Sequence, residues 1–392
     1  MKSVRVLWFT VALSVTITTY IWWKIQPSMN NLNEKSVQQK LYSLTKVYNE
    51  LEKKFTKNRK PENVNKTMVE NSPRKITIRN HKFKYIANMS TNSESTLDVA
   101  GLFMTPWKQN ISNLQDLRSD LKKSIHTEMI LSQKNVNISD RLKCTLAHAS
   151  MNISEDLYRL LLQDSPERNV YKRCSIVGNG GILNGSKCGK EIDKADFVIR
   201  CNAPPINEFR EDAGVKSNIT TVNHSIVKDR FGSIRNHDQQ SRFIDKMNEY
   251  SNYIWYPTFT NEWIYKSGIK INKLINTNLT SVKFVHGNPD HFREINGYWA
   301  KRSGMRRNRL STGFYVTTTA LLFCDEVHLY GFWPFSTDIH NRPAPYHYHE
   351  DRKMNRVVHA FNKEFNELAR LHSEGVLQLH VDDCYRNTNI DF

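Results

Sequence analysis

Two histidines stand where proton transfer could be done. His347 lies in PYHYHED (345–351), the densest run of imidazoles in the chain, and His359 follows a few residues later. Imidazole takes and gives protons near neutral pH. In the stretch 355–375, Val358, Phe361, Phe365 and Leu368 form one apolar side, and His359 points well away from it. It therefore faces solvent or a cleft, and near a helix N-terminus its pKa falls, which suits a neutral general base. His347, His349 and Glu350 have metal-ligand types. The chain lacks H-E-x-x-H and D-x-D, however. Mg²⁺ or Mn²⁺ would call for such oxygen ligands, so the reading is metal-free.

Two other segments could hold a ligand. In CSIVGNGGILNG, Gly178, Gly180 and Gly181 allow a tight turn and a close backbone approach. A dinucleotide site would want a glycine at 183 and an acid at the end of the next strand. Leu183 and Asn202 stand there instead, which excludes a dehydrogenase. Asn179 and Asn202 offer neutral donors and acceptors toward a nucleotide, or ordinary turn chemistry. Ser311, Thr312 and Gly313 open an apolar run, either as an anion site at a helix start or as a plain cap.

These residues need a scaffold. SIVGN and DFVIRCN read as buried strands around the glycine turn. Further strands are expected at 217–223, 253–259, 282–287, 326–333 and 376–381. Helices are expected at 157–166, ended by Pro166, at 311–324, capped by Ser311, and at 355–375, stopped by Gly375. Strands alternating with helices predict an α/β domain, a mainly parallel sheet covered on both faces.

The 392 residues carry a net charge of +17, with a pI near 9.5. An anionic partner or a solvated lysine surface would explain this; no nucleic-acid signature accompanies it. Residues 6–23, VLWFTVALSVTITTYIWW, are uncharged and end in an interfacial Trp pair, which predicts an uncleaved transmembrane signal anchor. Sequons at Asn65, Asn88, Asn110, Asn137, Asn152, Asn184, Asn218, Asn223 and Asn278 place the remainder in the secretory lumen. The organisation is a cytosolic tail (1–5), a span (6–23), a polar lumenal stem (24–140) and a catalytic domain (141–392). Within the stem, Leu41, Leu44, Val47, Leu51 and Phe55 fit one helix face suited to self-association, so a homodimer is among the expected partners. The six cysteines lie in a compartment that permits disulfides, and spacing leaves their pairing open.

Four segments together resemble the animal sialyltransferases, and within them the α-2,8 branch. CSIVGNGGILNGSKCGKEIDKADFVIRCNAPP is similar to the long sialyl motif, and LSTGFYVTTTALLFCDEVHLYGFW to the short one. YHYHE is similar to the third motif, commonly His-Tyr-Tyr-Asp, and HAFNKEF (359–365) to the His-x4-Glu of the very short one. GNGGIL, RCN-x-PP and GFWPF point to the α-2,8 branch. The resemblance implies a single variant glycosyltransferase-A-type domain with a Rossmann-like sheet of about seven strands. It implies CMP-sialic acid as donor, no metal or other cofactor, and a sialylated glycolipid or glycoprotein as acceptor. By the same resemblance Asn179 and Asn202 hold the CMP moiety, and Ser311, Thr312 and Gly313 take the sialic acid carboxylate. Trp333 lines the cytidine side, His347 bonds the phosphate, and His359 is the base of an inverting displacement. Lys301, Arg302, Arg306, Arg307 and Arg309 could steer acidic acceptors. The implied disulfides are Cys174–Cys324 and Cys188–Cys384, leaving Cys144 and Cys201, with Cys201 a free thiol in a buried strand. Location follows as the Golgi membrane, type II. Asn362 replaces the usual Pro of the very short motif, the stretch from Trp333 to His359 is short, and His349-Glu350 replaces Tyr-Asp. These departures bear on acceptor preference. A sialyltransferase of α-2,3 or α-2,6 linkage and a catalytically silent sialoside-binding relative are the competing readings.

Overall fold

The computed structural model describes residues 103, 106–279, 281–305, 309–350 and 361–384. The expected tail, anchor and most of the stem lie outside the described residues, as do Asn65, Asn88, Arg306, Arg307 and His359. No helix among the described residues is long and apolar enough to cross a membrane.

Nine strands are described: β1 Arg141–Lys143, β2 Ser150–Asn152, β3 Tyr171–Val177, β4 Phe197–Arg200, β5 Ile219–Thr221, β6 Asn252–Tyr256, β7 Val282–His286, β8 Cys324–Tyr330 and β9 Gln378–His380. The first two form a small antiparallel pair. The other seven form one sheet in the order β7-β6-β5-β4-β3-β8-β9, and every pairing in it is parallel. Helices occupy the crossovers, as parallel strands require: α1 Ile111–Lys122 and α2 Glu155–Leu160 precede the sheet. Then come α3 Gly189–Asp193, α4 Arg210–Ala213, α5 His224–Phe231, α6 His237–Met247, α7 Glu262–Asn278, α8 Pro289–Arg302, α9 Thr312–Phe323 and α10 Phe361–Ser373. Strands β4 and β5 are buried at every position, because helices cover both faces.

Within this sheet the chain enters at β3, builds outward to β7, and then returns to the other side of β3 as β8. The sheet's switch point therefore falls between β3 and β8, where an open parallel sheet leaves a crevice beyond its strand ends. A disulfide joins Cys174 on β3 to Cys324 at the start of β8, stapling the two strands that frame the crevice. Cys188 and Cys384 form the second. Cys144 and Cys201 are buried free thiols, and burial pushes Cys201 up to about 12. Cys201 sits just past the end of β4 rather than within it.

Helix α9 supplies the other wall. It is buried on nearly all sides, as its uniformly apolar pattern demands. Its threonines fit because their hydroxyls bond inward: Thr318 Oγ1 donates to Phe314 O (3.0 Å) and accepts from Trp299 Nε1 (2.9 Å), while Thr319 Oγ1 donates to Tyr315 O (3.0 Å).

Two sequence expectations are corrected. The helix expected over 157–166 spans Glu155–Leu160 and ends well before Pro166. Leu162 instead pairs with Ser132, and its carbonyl accepts from Gln133 N, so a strand-like contact outcompetes the leucine run. The packed domain also begins before residue 141. Leu114, Leu117 and Leu121 of α1 are buried, and with Ile125, Met129 and Ile130 they belong to the main core. This amphipathic stripe lies in a stretch whose overall composition reads as stem.

Candidate active site

The glycines shape the crevice through a close backbone contact. A Cβ on Gly178 or on Gly180 would sit 2.6 Å from Gly331 O, and Gly331 itself adopts φ +70°. Gly178 N donates to Tyr330 O and Gly180 N to Gly331 O, both at 2.8 Å. The turn after β3 and the turn after β8 therefore interlock backbone to backbone, a contact only residues without side chains allow.

The interlock aims Asn179 sideways. Its Nδ2 donates to Cys201 O at 2.9 Å, and its carbonyl accepts from Tyr348 N at 2.9 Å. Asn202 follows β4 in the left-handed region at φ 63°, where asparagine is tolerated, and its N–H donates to Thr221 Oγ1 at 2.9 Å. The Oδ1 atoms of Asn179 and Asn202 are both buried without a hydrogen-bond partner among the described residues. Two buried amide acceptors in one crevice call for a ligand with hydroxyl or amine donors.

At the start of α9, Ser311 Oγ accepts from Phe314 N at 3.1 Å, the expected cap. Ser311 N in turn donates to Glu364 Oε1 at 2.7 Å. Glu364 belongs to α10, is 4% exposed, and burial raises its pKa, partly offset by its bonds from Ser311. With those partners taken, the Thr312 and Gly313 amides remain as first-turn N–H groups beside the crevice, where the helix dipole favours an anion. Thr312 Oγ1 accepts from Asn223 Nδ2 at 2.9 Å.

His347 closes the opposite side. Its Nδ1 lies 2.6 Å from Glu350 Oε1, and the Tyr346 ring stacks on it at 4.2 Å. Arg230 Nη2 is 3.5 Å from the same carboxylate oxygen. Burial pushes the Glu350 carboxyl upward, but the bond from His347 and the Arg230 charge outweigh it and hold the group below its ordinary value. Glu350 thereby orients the His347 ring at the crevice wall. His349 behaves differently: burial first, then Arg230, push it down to about 4.

These residues line one crevice of about 180 Å³, together with Trp333, whose indole N–H donates to Thr337 O at 2.7 Å. A second cavity of about 480 Å³ adjoins it. The two share Asn179, Asn202, Asn223, Thr312, Tyr346 and His347. Thus Asn179, Asn202, Ser311, Thr312, Gly313, Trp333 and His347 come together from five separate segments. Asn223, Tyr346 and Glu364 were not anticipated as site residues. Only the His-x4-Glu pattern offered a sign of Glu364.

Other expected residues fall elsewhere. Arg302 pairs with Asp120 at 3.0 Å, away from both cavities, and Lys301 is exposed on α8. Arg309 lines the larger cavity, its guanidinium 5.7 Å from the Phe292 ring centre. Of the described sequons, Asn110, Asn137, Asn152, Asn184 and Asn278 are exposed. Asn218 is tied into the sheet, with Oδ1 accepting from Val198 N at 2.8 Å. Asn223 uses its amide nitrogen, the atom a glycan would occupy, on Thr312.

Glycosyltransferase family 29 (sialyltransferase) matches residues 124–376. An alpha-N-acetylneuraminide alpha-2,8-sialyltransferase of Xenopus laevis is 36% identical over 242 residues, 61% of this chain and 67% of that protein. The Homo sapiens alpha-2,8-sialyltransferase 8E is 32% identical over 321 residues, 80% of this chain and 85% of that protein. A solved structure of a mammalian sialyltransferase in complex with Gal-beta-1-3GalNAc-ortho-nitrophenol is similar at 20% identity and a TM-score of 0.38, over 74% of this chain and 88% of that one.

Proposed function

This chain belongs to glycosyltransferase family 29, the sialyltransferases, and from that premise we propose that it transfers sialic acid from CMP-sialic acid to a sialylated glycan, forming an α-2,8 linkage in the Golgi lumen. The linkage is supported by relatives named for it. The observation that carries the site assignment is the pair of unpartnered Asn oxygens facing a helix start and an imidazole across one crevice.

In this reading Asn179 and Asn202 accept from donor groups of the CMP moiety, and Trp333 lines its cytidine side. The Thr312 and Gly313 amides take the sialic acid carboxylate. His347, oriented by its 2.6 Å contact with Glu350, bonds the single phosphate. The acceptor hydroxyl oxygen forms the new bond to the anomeric carbon as the carbon–oxygen bond to CMP breaks. His359, outside the described residues, takes the hydroxyl proton, and His347 neutralises the departing phosphate. One displacement on the face opposite the leaving group inverts configuration. Neutral amides, a helix start and one imidazole suffice for a donor with one phosphate, so the transfer is read as metal-independent. The acidic acceptor occupies the larger cavity, where Arg230 and Arg309 face it.

The test is transfer by the full chain in detergent and EDTA, with sialylated and unsialylated glycolipids and glycoproteins, followed by linkage analysis. The expected product is an α-2,8-linked disialyl unit, with His359→Ala inactive. Products of α-2,3 or α-2,6 linkage alone would replace the linkage assignment, and turnover by His359→Ala would remove the base.

A further inference from the structure

We propose that His347, His349 and Glu350 form a binding site for Zn²⁺ or a cation of similar chemistry, and that its occupancy shuts off transfer. Among the described residues they are the one group of His, Cys, Asp or Glu whose ligand atoms all lie within 4.8 Å of one another. The His347 and His349 rings are near parallel, with centroids 5.4 Å apart, and His347 bridges to Glu350 across a tight turn.

The second observation concerns His349. Its Nε2 is shielded from solvent and has no hydrogen-bond partner among the described residues. Nothing in the transfer mechanism uses this nitrogen. Two imidazoles and a carboxylate are the donor set of zinc, whereas Mg²⁺ and Ca²⁺ prefer oxygen throughout.

In a tetrahedral zinc site the ligand atoms stand about 3.3 Å apart. The His347–Glu350 contact must therefore open from 2.6 Å, while the wider pairs close by side-chain rotation. Arg230 opposes entry. Its Nη2 stands 3.5 Å from Glu350 Oε1, and its Nη1 is anchored to Ala203 O at 3.2 Å. The guanidinium thus tempers affinity, and the site suits reversible occupancy.

Inhibition rests on the reading that His347 serves the donor phosphate; zinc binding does not. Two measurements keep these separate. Equilibrium dialysis of the full chain with zinc should find this site occupied in the wild type. His349→Phe, which keeps the ring and removes both nitrogens, should weaken it by about 10–100-fold or more, and Arg230→Gln should tighten it. Transfer assays at buffered free zinc should show wild-type activity falling with occupancy and returning with EDTA, and His349→Phe should need correspondingly more zinc. Equal zinc affinity in the wild type and His349→Phe would overturn the site, as would an unchanged affinity in Arg230→Gln should His349→Phe fail to fold. Full transfer by zinc-occupied wild type would overturn the inhibition. Absence of transfer in EDTA alone would count against the proposed function, while dialysis still decides the site.

Discussion

Glu364 offers a sharp test of how the crevice is built. Its carboxylate accepts from Ser311 N at 2.7 Å, and the residue is 4% exposed. Glu364→Ala leaves a partly buried amide donor without its partner at the head of α9, which costs at most roughly 1–3 kcal/mol. The same bond fixes where the Thr312 and Gly313 amides point. If the cost falls on donor binding, the donor KM rises roughly 5- to 150-fold. If it falls on the fold, the thermal midpoint drops instead. Glu364→Gln keeps an oxygen that can accept the bond, so it should recover most of either loss. The assay is a set of initial rates against CMP-sialic acid and against acceptor, with thermal melts of all three proteins. The expected pattern is a donor effect in Glu364→Ala, little acceptor effect, and rescue by Gln. An Ala variant with wild-type donor KM and wild-type melting would refute the claim that α10 positions the head of α9.

Two further outcomes follow from burial and geometry. Glu167 accepts from Ile130 N and Ser165 Oγ, both at 3.0 Å, and burial, partly offset by these bonds, lifts its carboxyl from 4.5 to about 7. A raised folded-state pKa gives stability that is full below 4.5 and lost as pH rises through 7. Glu167→Gln should therefore gain on the wild type across that window, by at most about 3 kcal/mol and less where solvent reaches this partly exposed residue. A constant gap between their melting curves from pH 4.5 to pH 7.5 would contradict the burial argument. For glycosylation, Asn137→Gln should remove a glycan and shift electrophoretic mobility, whereas Asn218→Gln and Asn223→Gln should leave mobility unchanged, because both side chains are already engaged.

How much of this was legible depends on whether the signal was local. The strand–turn–strand around Gly178 is a continuous pattern, and β3 and β4 appear where it predicts. Ser311 is a cap one residue before a long apolar run, and α9 begins there. Helices α5 to α8 were not anticipated, since α6 and α7, for example, mix polar residues with a narrow apolar stripe. The early end of α2 depends on Ser132 and the role of Glu364 on Ser311, contacts between segments distant along the chain. The glycine turn was legible as a turn, but its purpose was not. Besides the close backbone approach read from the sequence, Gly178 and Gly180 accommodate Gly331, far off in sequence, a partner no local pattern reveals.

The distribution of charge sharpens the picture of two substrates. The chain carries +17, yet no Lys or Arg is among the described residues lining the smaller crevice. A fixed cation there would bind the donor and the departing CMP alike, slowing release without favouring the transition state. Helix-start amides and a titratable imidazole instead respond to where charge develops. The cations lie in the adjoining cavity, where Arg230 and Arg309 face the space beyond His347. In the proposed reading an acidic acceptor is attracted there without competing for the donor's contacts. In the same proposed reading, Asn223 and Thr312, bonded to each other at 2.9 Å on the wall the two cavities share, mark the boundary across which the anomeric carbon and the acceptor hydroxyl meet.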